Sequence, residues 1–311
     1  MEAIITVVGF LGAGKTTLLR FLIDSFIEQG FNPYVILNDY ENANLDAQQL
    51  TKQMASNAIK PLSGSCICCS GIMELRNTVN RIPDRKNGIT LIEANGTSDA
   101  CSLMEFLGVG LHDRFLPPIQ ISVVDVKNWQ KRGAHNELEA NQIQISSLLV
   151  LSHLEQVSEN RKAEVIQQLK IWNPTAKVIP MQQLDVLLLP ELGPSLNSAQ
   201  KLDHQKAHWA SCAVDLPNLP HSKAIDGICA ALPKSLLRVK GCTIISDDAH
   251  YTYFERTPDG EVHIRPFNGV PITGSKLLTI GPGSETYLLQ KIITSILSKN
   301  QVVDKNTPQK E

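Results

Sequence analysis

One stretch of this chain admits very few backbones. Val7-Val8-Gly9-Phe10-Leu11-Gly12-Ala13-Gly14-Lys15-Thr16-Thr17 satisfies G-x-x-x-x-G-K-[ST] at every required position. It follows an apolar run (Ile4, Ile5, Val7, Val8) and leads into a helical pattern over Thr17 to Glu28. A loop that surrounds a phosphate chain needs many N–H donors converging on it, and only glycines let the backbone come that close. The helix behind it adds free N-terminal N–H groups and the positive end of its dipole. Strand, glycine loop and helix in this order predict a phosphate cradle formed by Gly12, Ala13, Gly14, Lys15, Thr16 and Thr17. In such a cradle Lys15 reaches the β- and γ-phosphates and the Thr16 hydroxyl holds Mg²⁺.

The rest of the first half repeats one theme. Apolar runs at Ile4–Val8, Tyr34–Leu37, Ile89–Glu93, Ile119–Asp125, Ser147–Ser152 and Ala176–Pro180 alternate with helical patterns near 17–29, 45–56, 71–81, 100–109, 138–146 and 158–171. Strands separated by helices imply βαβ units and a mainly parallel sheet covered on both faces. A nucleotide then belongs at the carboxyl ends of the strands. The pattern changes after residue 182. Residues 183–206 read as a linker rich in Leu, Pro, Ser and Asn, and 207–298 as a smaller α+β domain. In the latter, Asp247-Asp248 and Asp259-Gly260 are the hairpin-turn signals. Residues 299–311 form a polar tail.

Composition narrows the function classes. The 311 residues are 42% hydrophobic and 19% charged, as in a folded globular chain, with ample length for one large domain or two ordinary ones. A net charge of −2 gives no electrostatic footprint for nucleic acid or an anionic membrane. No apolar run reaches membrane-spanning length, and no secretory signal is expected. Seven cysteines, three of them within residues 66–69, suit a reducing cytoplasm and a metal or redox site more than a disulfide framework.

Two further constellations carry chemistry. Ile89-Thr90-Leu91-Ile92-Glu93 ends in an acid and continues Ala94-Asn95-Gly96, so Glu93 is a candidate to manage Mg²⁺ and water, and the Gly96 N–H to touch the γ-phosphate. Asp125, ending the next strand, is a second acid in the same kind of position. Cys66-Ile67-Cys68-Cys69 is the other constellation. In an extended segment Cys66 and Cys68 point the same way and can chelate together, and thiolates select Zn²⁺ or a similar soft ion over Mg²⁺. Three buried thiols or a redox pair are the alternatives. Cys212, Cys229 and Cys242 lie in apolar patterns and read as core. His204 and His208 stand i, i+4 in the linker and read as solvated; His112 and Asp113 fall in a loop and receive no role.

The text GFLGAGKTTLL, the CICC cluster and the E-x-x-G strand occur in the order found in CobW-like metallochaperone GTPases, relatives of HypB and UreG, and the chain resembles that family. Asn38-Asp39-Tyr40 with the later Asp46 resembles its switch segment. Trp172-Asn173-Pro174-Thr175-Ala176 resembles its N-P-x-A element, and Leu237-Arg238-Val239-Lys240-Gly241 the R-x-K-G opening of its C-terminal domain. The likeness spans residues 2–292 and implies an α/β P-loop NTPase domain (1–182) followed by a smaller α+β domain (207–298). It further implies a cytoplasmic GTPase with three ligands: GTP, Mg²⁺, and Zn²⁺ or Co²⁺ on Cys66, Cys68 and Cys69. Nucleotide state would govern delivery of that metal to a client metalloprotein. Asp46 and Glu93 would position Mg²⁺ or water, and the C-terminal domain would bind the client or self-associate into a homo-oligomer.

Some positions depart from the family text. Ser152-His153-Leu154-Glu155 stands where N-K-x-D is expected. Glu155 can accept from guanine N1–H and N2–H₂, but Ser152 replaces only part of the Asn contacts and His153 cannot supply the long aliphatic stem of Lys that packs on the base, so GTP and ATP both remain open. Glu41 replaces the switch glycine, and Ser65 the glycine before the first cysteine. No Arg or Gln marks itself as an activating finger, so slow intrinsic turnover is expected. Two rival readings stand beside the metallochaperone: a P-loop small-molecule kinase, and a nucleotide-gated regulatory protein with degenerate GTPase activity.

Overall fold

The computed structural model describes residues 1–38, 47, 50, 54–62, 71–197, 211–246, 250–257, 259–267, 269–271 and 274–304. Its contacts divide the chain into two compact units, Met1–His208 and Trp209–Glu311.

The first unit alternates strand and helix as the apolar periodicity predicts. Strands β1 (Ala3–Val8), β2 (Asn32–Asn38), β3 (Ile59–Leu62), β4 (Gly88–Glu93), β5 (Ile119–Asp125), β6 (Leu148–Ser152) and β7 (Lys177–Pro180) form one sheet. Its order is β3-β2-β4-β1-β5-β6-β7, and all its pairings are parallel. Helices α1 (Lys15–Glu28), α2 (Gly71–Asn80), α3 (Ala100–Leu107), α4 (Asn136–Gln144) and α5 (Glu159–Trp172) connect the strands. This is the expected α/β architecture of a P-loop NTPase.

Both faces of the sheet are buried, which a central parallel sheet requires. Ile5 and Val7 of β1 join Leu18, Leu19, Leu22, Ile23 and Phe26 of α1 in one core. Ile4 and Val8 point the other way, into a core with Leu75 and Val79 of α2 and Leu103 and Leu107 of α3. Burying each such side chain is worth roughly 1.5–3 kcal/mol. The chain leaves α1 through Gly30 and Phe31, whose N–H groups bond to the Ile27 and Phe26 carbonyls at 2.9 Å each. The Phe31 ring also packs edge-on against Phe26. These two bonds satisfy carbonyls that the helix end would otherwise leave orphaned.

Three local expectations change. β3 was not anticipated from its four residues Ile59-Lys60-Pro61-Leu62; it lies at the sheet edge, where a proline removes no needed donor. The helix expected over 45–56 gives way by Ser56–Ala58 to a 3₁₀ turn, while Ala47 and Leu50 are helical. The start of the expected linker is not a linker. Leu184, Val186 and Leu189 are buried in the α1 core, the last two on a 3₁₀ segment, Val186–Glu191. Leu187 and Leu188 of the same segment stay exposed, while Val186 and Leu189 pack as core: Pro190 and the short turns prevent a regular helix, not the burial of these two.

The second unit holds β8 (Ser211–Asp215), α6 (Lys223–Ala231), β9 (Arg238–Ile244), β10 (Tyr251–Arg256), β11 (Val262–Pro266), β12 (Lys276–Ile280) and α7 (Thr286–Asp304). Its sheet runs β11-β10-β9-β12-β8, with every neighbouring pair antiparallel. Val239, Phe254 and Leu277 pack against Ile225 and Ile228 of α6 and Leu289 and Ile293 of α7. Cys229 and Cys242 are buried, as expected of core thiols, and burial pushes both up to about 12. The Asp259-Gly260 turn links β10 and β11, and Asp247-Asp248 lies outside the described residues.

Candidate nucleotide site

The carboxyl ends of β1, β4, β5 and β6 bring the predicted residues to one edge of the first unit. β1 runs into the loop 9–14, and α1 starts at Lys15 with Gly14 as its N-cap. Gly14 has φ 96°, a left-handed conformation that other residues reach only under strain. Lys15 is buried, and its Nζ donates to the Gly9 carbonyl at 3.0 Å and the Phe10 carbonyl at 3.4 Å. The ammonium is thus folded back over its own loop.

Thr16 and Glu93 meet here. The Thr16 hydroxyl donates to Glu93 Oε1 at 2.9 Å, and Glu93 is only 4% exposed. With its proton on Glu93, the Thr16 oxygen keeps its lone pairs for a hard cation, and a carboxylate stands beside it; that donor set suits Mg²⁺. Gly96 lies against the phosphate loop. A Cβ on it would lie 2.8 Å from the Leu11 nitrogen and 3.0 Å from Lys15 Nζ, so only glycine fits against the phosphate loop.

Ser152 and His153, the departures from the family text, hold the same loop from the far side. Ser152 Oγ donates to the Ala13 carbonyl at 2.7 Å, with the Val124 carbonyl at 3.1 Å. His153 Nε2 lies 3.1 Å from the Gly12 carbonyl. A carbonyl only accepts, so that nitrogen carries the proton. Glu155 is solvent-exposed on the 3₁₀ turn Leu154–Gln156, where it accepts from Gln156 Nε2 at 3.3 Å.

Asp125, the second acid weighed from sequence, has a different role. Its carboxylate accepts from Arg132 Nη2 at 2.7 Å and Asn128 Nδ2 at 2.9 Å, and it closes the turn after β5. Arg132 also stacks over the Phe10 ring of the phosphate loop, 5.0 Å from its centroid. Glu139 of α4 lies beside Arg132 and accepts the Gln130 N–H at 2.9 Å. Burial pushes its carboxyl up to about 7 against the opposing pull of that N–H and of Arg132.

Several contributors gave no signal in the sequence. Gln142, 1% exposed, donates from Nε2 to the Gly96 and Ser98 carbonyls at 3.2 Å each. Asn95 Oδ1 accepts the Thr97 N–H at 3.1 Å, shaping the turn that carries Gly96. Asp99 caps α3 by accepting from the Cys101 and Ser102 N–H groups. Asp46, Cys66, Cys68 and Cys69 lie outside the described residues, as do His204 and His208. What is described is where their segments leave the sheet. Glu93 pairs with Leu37, and Asn38, the next residue of β2, pairs with Leu62, the last of β3.

Residues 3–180, more than half of this chain, match the CobW/HypB/UreG nucleotide-binding domain. The chain belongs to this family. Among CobW/HypB/UreG relatives, zinc-regulated GTPase metalloprotein activator 1 of Dictyostelium discoideum is 25% identical over 209 residues, 55% of this chain and 44% of the relative. Zinc chaperone YjiA of Escherichia coli is 28% identical over 168 residues, 51% of this chain and 52% of YjiA. Zinc chaperone CobW of Pseudomonas aeruginosa is 24% identical over 286 residues, 77% of this chain and 76% of that protein. The chain spans about half the length of the first two of these CobW/HypB/UreG relatives. Among the described residues no helix is long and apolar enough to cross a membrane.

Proposed function

We propose that this chain is a cytoplasmic GTP-binding and GTP-hydrolysing metallochaperone. It carries Zn²⁺ or Co²⁺ on Cys66, Cys68 and Cys69 and releases it to a client metalloprotein according to nucleotide state. Gly12 to Thr17 cradle the phosphates, with Lys15 on the terminal ones. Thr16 and Glu93 hold Mg²⁺, which supplies positive charge to the phosphates; Asp46 assists from the switch segment. The Gly96 N–H meets the γ-phosphate, and Glu155 faces the base.

One observation carries the coupling between nucleotide and metal. Glu93, Asn38 and Leu62 end three adjacent strands at one level. Neighbouring strands are about 5 Å apart, so the chain enters the switch segment and the cysteine segment side by side, within about 10 Å of Glu93. A γ-phosphate that orders the first segment then acts on a neighbour that carries the thiolates. The names of the zinc-linked relatives support the choice of ion.

Calorimetric titration of GTP and ATP into the protein, with and without Zn²⁺ or Co²⁺, tests this. The expected result is GTP preference, and a metal affinity that changes at least tenfold between the GTP and GDP forms. Metal affinity indifferent to nucleotide overturns the delivery role, and retained stoichiometric metal in a Cys66→Ala/Cys68→Ala variant overturns the cysteine site.

A further inference from the structure

The turn between β5 and α4 touches the phosphate loop, and one arginine makes much of that contact. The Arg132 side chain is only 7% exposed. Its guanidinium lies 5.0 Å from the centroid of the Phe10 ring, and the His135 ring stacks on the same Phe10 at 6.0 Å. Phe10 is itself buried. Its carbonyl accepts the Ala13 N–H at 3.1 Å and Lys15 Nζ at 3.4 Å. The ring that Arg132 covers therefore belongs to a residue on which the phosphate-loop lysine rests.

The turn is built to aim that arginine. Gln130 has φ 58°, a left-handed conformation uncommon for a residue with a Cβ. It is held there at three points. Its N–H donates to Glu139 Oε2 at 2.9 Å, its carbonyl accepts from Asn136 Nδ2 at 3.0 Å, and its Nε2 donates to the Asn136 carbonyl at 3.0 Å. The Arg132 N–H donates to Asn136 Oδ1 at 2.8 Å, and Arg132 Nη2 to Asp125 at 2.7 Å. Strained backbone persists where its surroundings over-determine it in this way.

The guanidinium is not fully satisfied. Among the described residues its buried Nε has no hydrogen-bond acceptor, and Glu139 Oε1 stands 3.9 Å away, beyond hydrogen-bond reach. Arg132 is thus shared between a ring and two carboxylates, Asp125 from β5 and Glu139 from α4, while Arg161 of α5 also acts on Glu139. With Glu139 neutral, the charges of Asp125 and Arg132 balance. With Glu139 charged, the group carries net negative charge behind the phosphate loop. That charge opposes incoming phosphate oxygens and weakens the cation over the ring.

We propose that Arg132 is a positioning residue for nucleotide binding, acting through the Phe10 ring, and that the charge on Glu139 sets its strength. The effect on nucleotide rests on the reading above; the clamp on Phe10 does not. Burial pushes the Glu139 carboxyl up to about 7, so it is mostly neutral at pH 6 and mostly charged at pH 8. Nucleotide affinity is therefore expected to fall across that interval. Calorimetry of GDP on the full chain at both pH values, beside a Glu139→Gln variant, tests this. Titration of the nucleotide and of the two histidines beside the loop, His135 and His153, is common to both proteins. The fall is expected to be at least about twofold larger in the unmodified chain than in the variant. Arg132→Met and Phe10→Leu are each expected to weaken GDP binding about three- to tenfold, and the double variant no more than the worse single one. Arg132→Met also strips two carboxylates of their cation, so a second readout leaves Arg132 in place. It is 4-fluorophenylalanine at Phe10, whose fluorine resonance without nucleotide is expected to titrate with a midpoint of about 7, and not when combined with Glu139→Gln. A fluorine signal indifferent to Glu139 overturns the clamp. Parallel GDP profiles in chain and variant, or additive losses in the double variant, overturn its action on the nucleotide. A fluorine response in a chain that binds no nucleotide leaves the clamp standing and removes the nucleotide reading.

Discussion

The Ser152 hydroxyl donates to the Ala13 carbonyl at 2.7 Å, so the end of β6 holds the middle of the phosphate loop. His153 does the same for the preceding carbonyl, that of Gly12. Two consecutive loop carbonyls are thereby tied back, away from the space where phosphate oxygens would repel them. Ser152→Ala and His153→Ala should each weaken GTP binding about three- to tenfold, the equivalent of one ordinary hydrogen bond. Calorimetry on the two variants checks this, and unchanged affinity in both would show that the loop needs no support from β6.

Gly96 has no room for a methyl group. Its added carbon would press on the Leu11 nitrogen, which is backbone and gives way only if the phosphate loop moves. Gly96→Ala should therefore lower turnover by at least tenfold, while the parallel sheet, and with it the far-ultraviolet dichroism, is retained. A variant with native turnover would remove the E-x-x-G turn from the site.

Glu139 makes stability depend on pH in an unusual direction for a carboxylate. Burial pushes its pKa up to about 7 in the folded chain, above the ordinary value of 4.5. Between those values the folded state binds more protons than the unfolded one, so this group's contribution is complete below about pH 4.5 and is lost as pH rises towards 7. The change is on the order of 1–3 kcal/mol. Glu139→Gln should flatten that part of the profile in urea unfolding from pH 5 to 8. An unaltered slope would place the titration on another group.

Asn173 joins three segments with one buried side chain. Its Nδ2 donates to the Ile143 carbonyl at 2.8 Å and the Ser146 carbonyl at 2.9 Å, while Oδ1 accepts the Ala176 N–H at 2.9 Å and Asn197 Nδ2 at 2.8 Å. Asn173→Ala should cost about 2–4 kcal/mol in unfolding free energy. Asn173→Asp should cost at least as much near neutral pH, since a carboxylate cannot donate to carbonyls. A smaller loss for Asp than for Ala would mean that the acceptor contacts dominate.

What was legible in the sequence is what depends on neighbours in the chain. The phosphate loop, α1 and the strands ending at Glu93, Asp125 and Ser152 announce themselves through local periodicity and glycine spacing, and all appear at one edge of the sheet. The pairing of Thr16 with Glu93 spans 77 positions and is reached from sequence only by placing the start of α1 and the end of β4 at the same edge of a parallel sheet. Gln142 and Arg132 were illegible because their partners, the Gly96 carbonyl and the Phe10 ring, are set by packing between helix and loop and leave no spacing rule. Asp125 showed the limit of strand-end reasoning, since position alone could not tell an acid facing a ligand from one capturing Arg132.

The burial of Leu184, Val186 and Leu189 beside α1 bears on how this protein can be divided. A fragment ended at residue 182, where the strand-and-helix alternation stops, would carry the whole phosphate loop yet leave the part of the α1 core that these three side chains join uncovered on one flank. Such a piece should self-associate through that greasy scar, whereas one continued to residue 197 should stay monodisperse in light scattering.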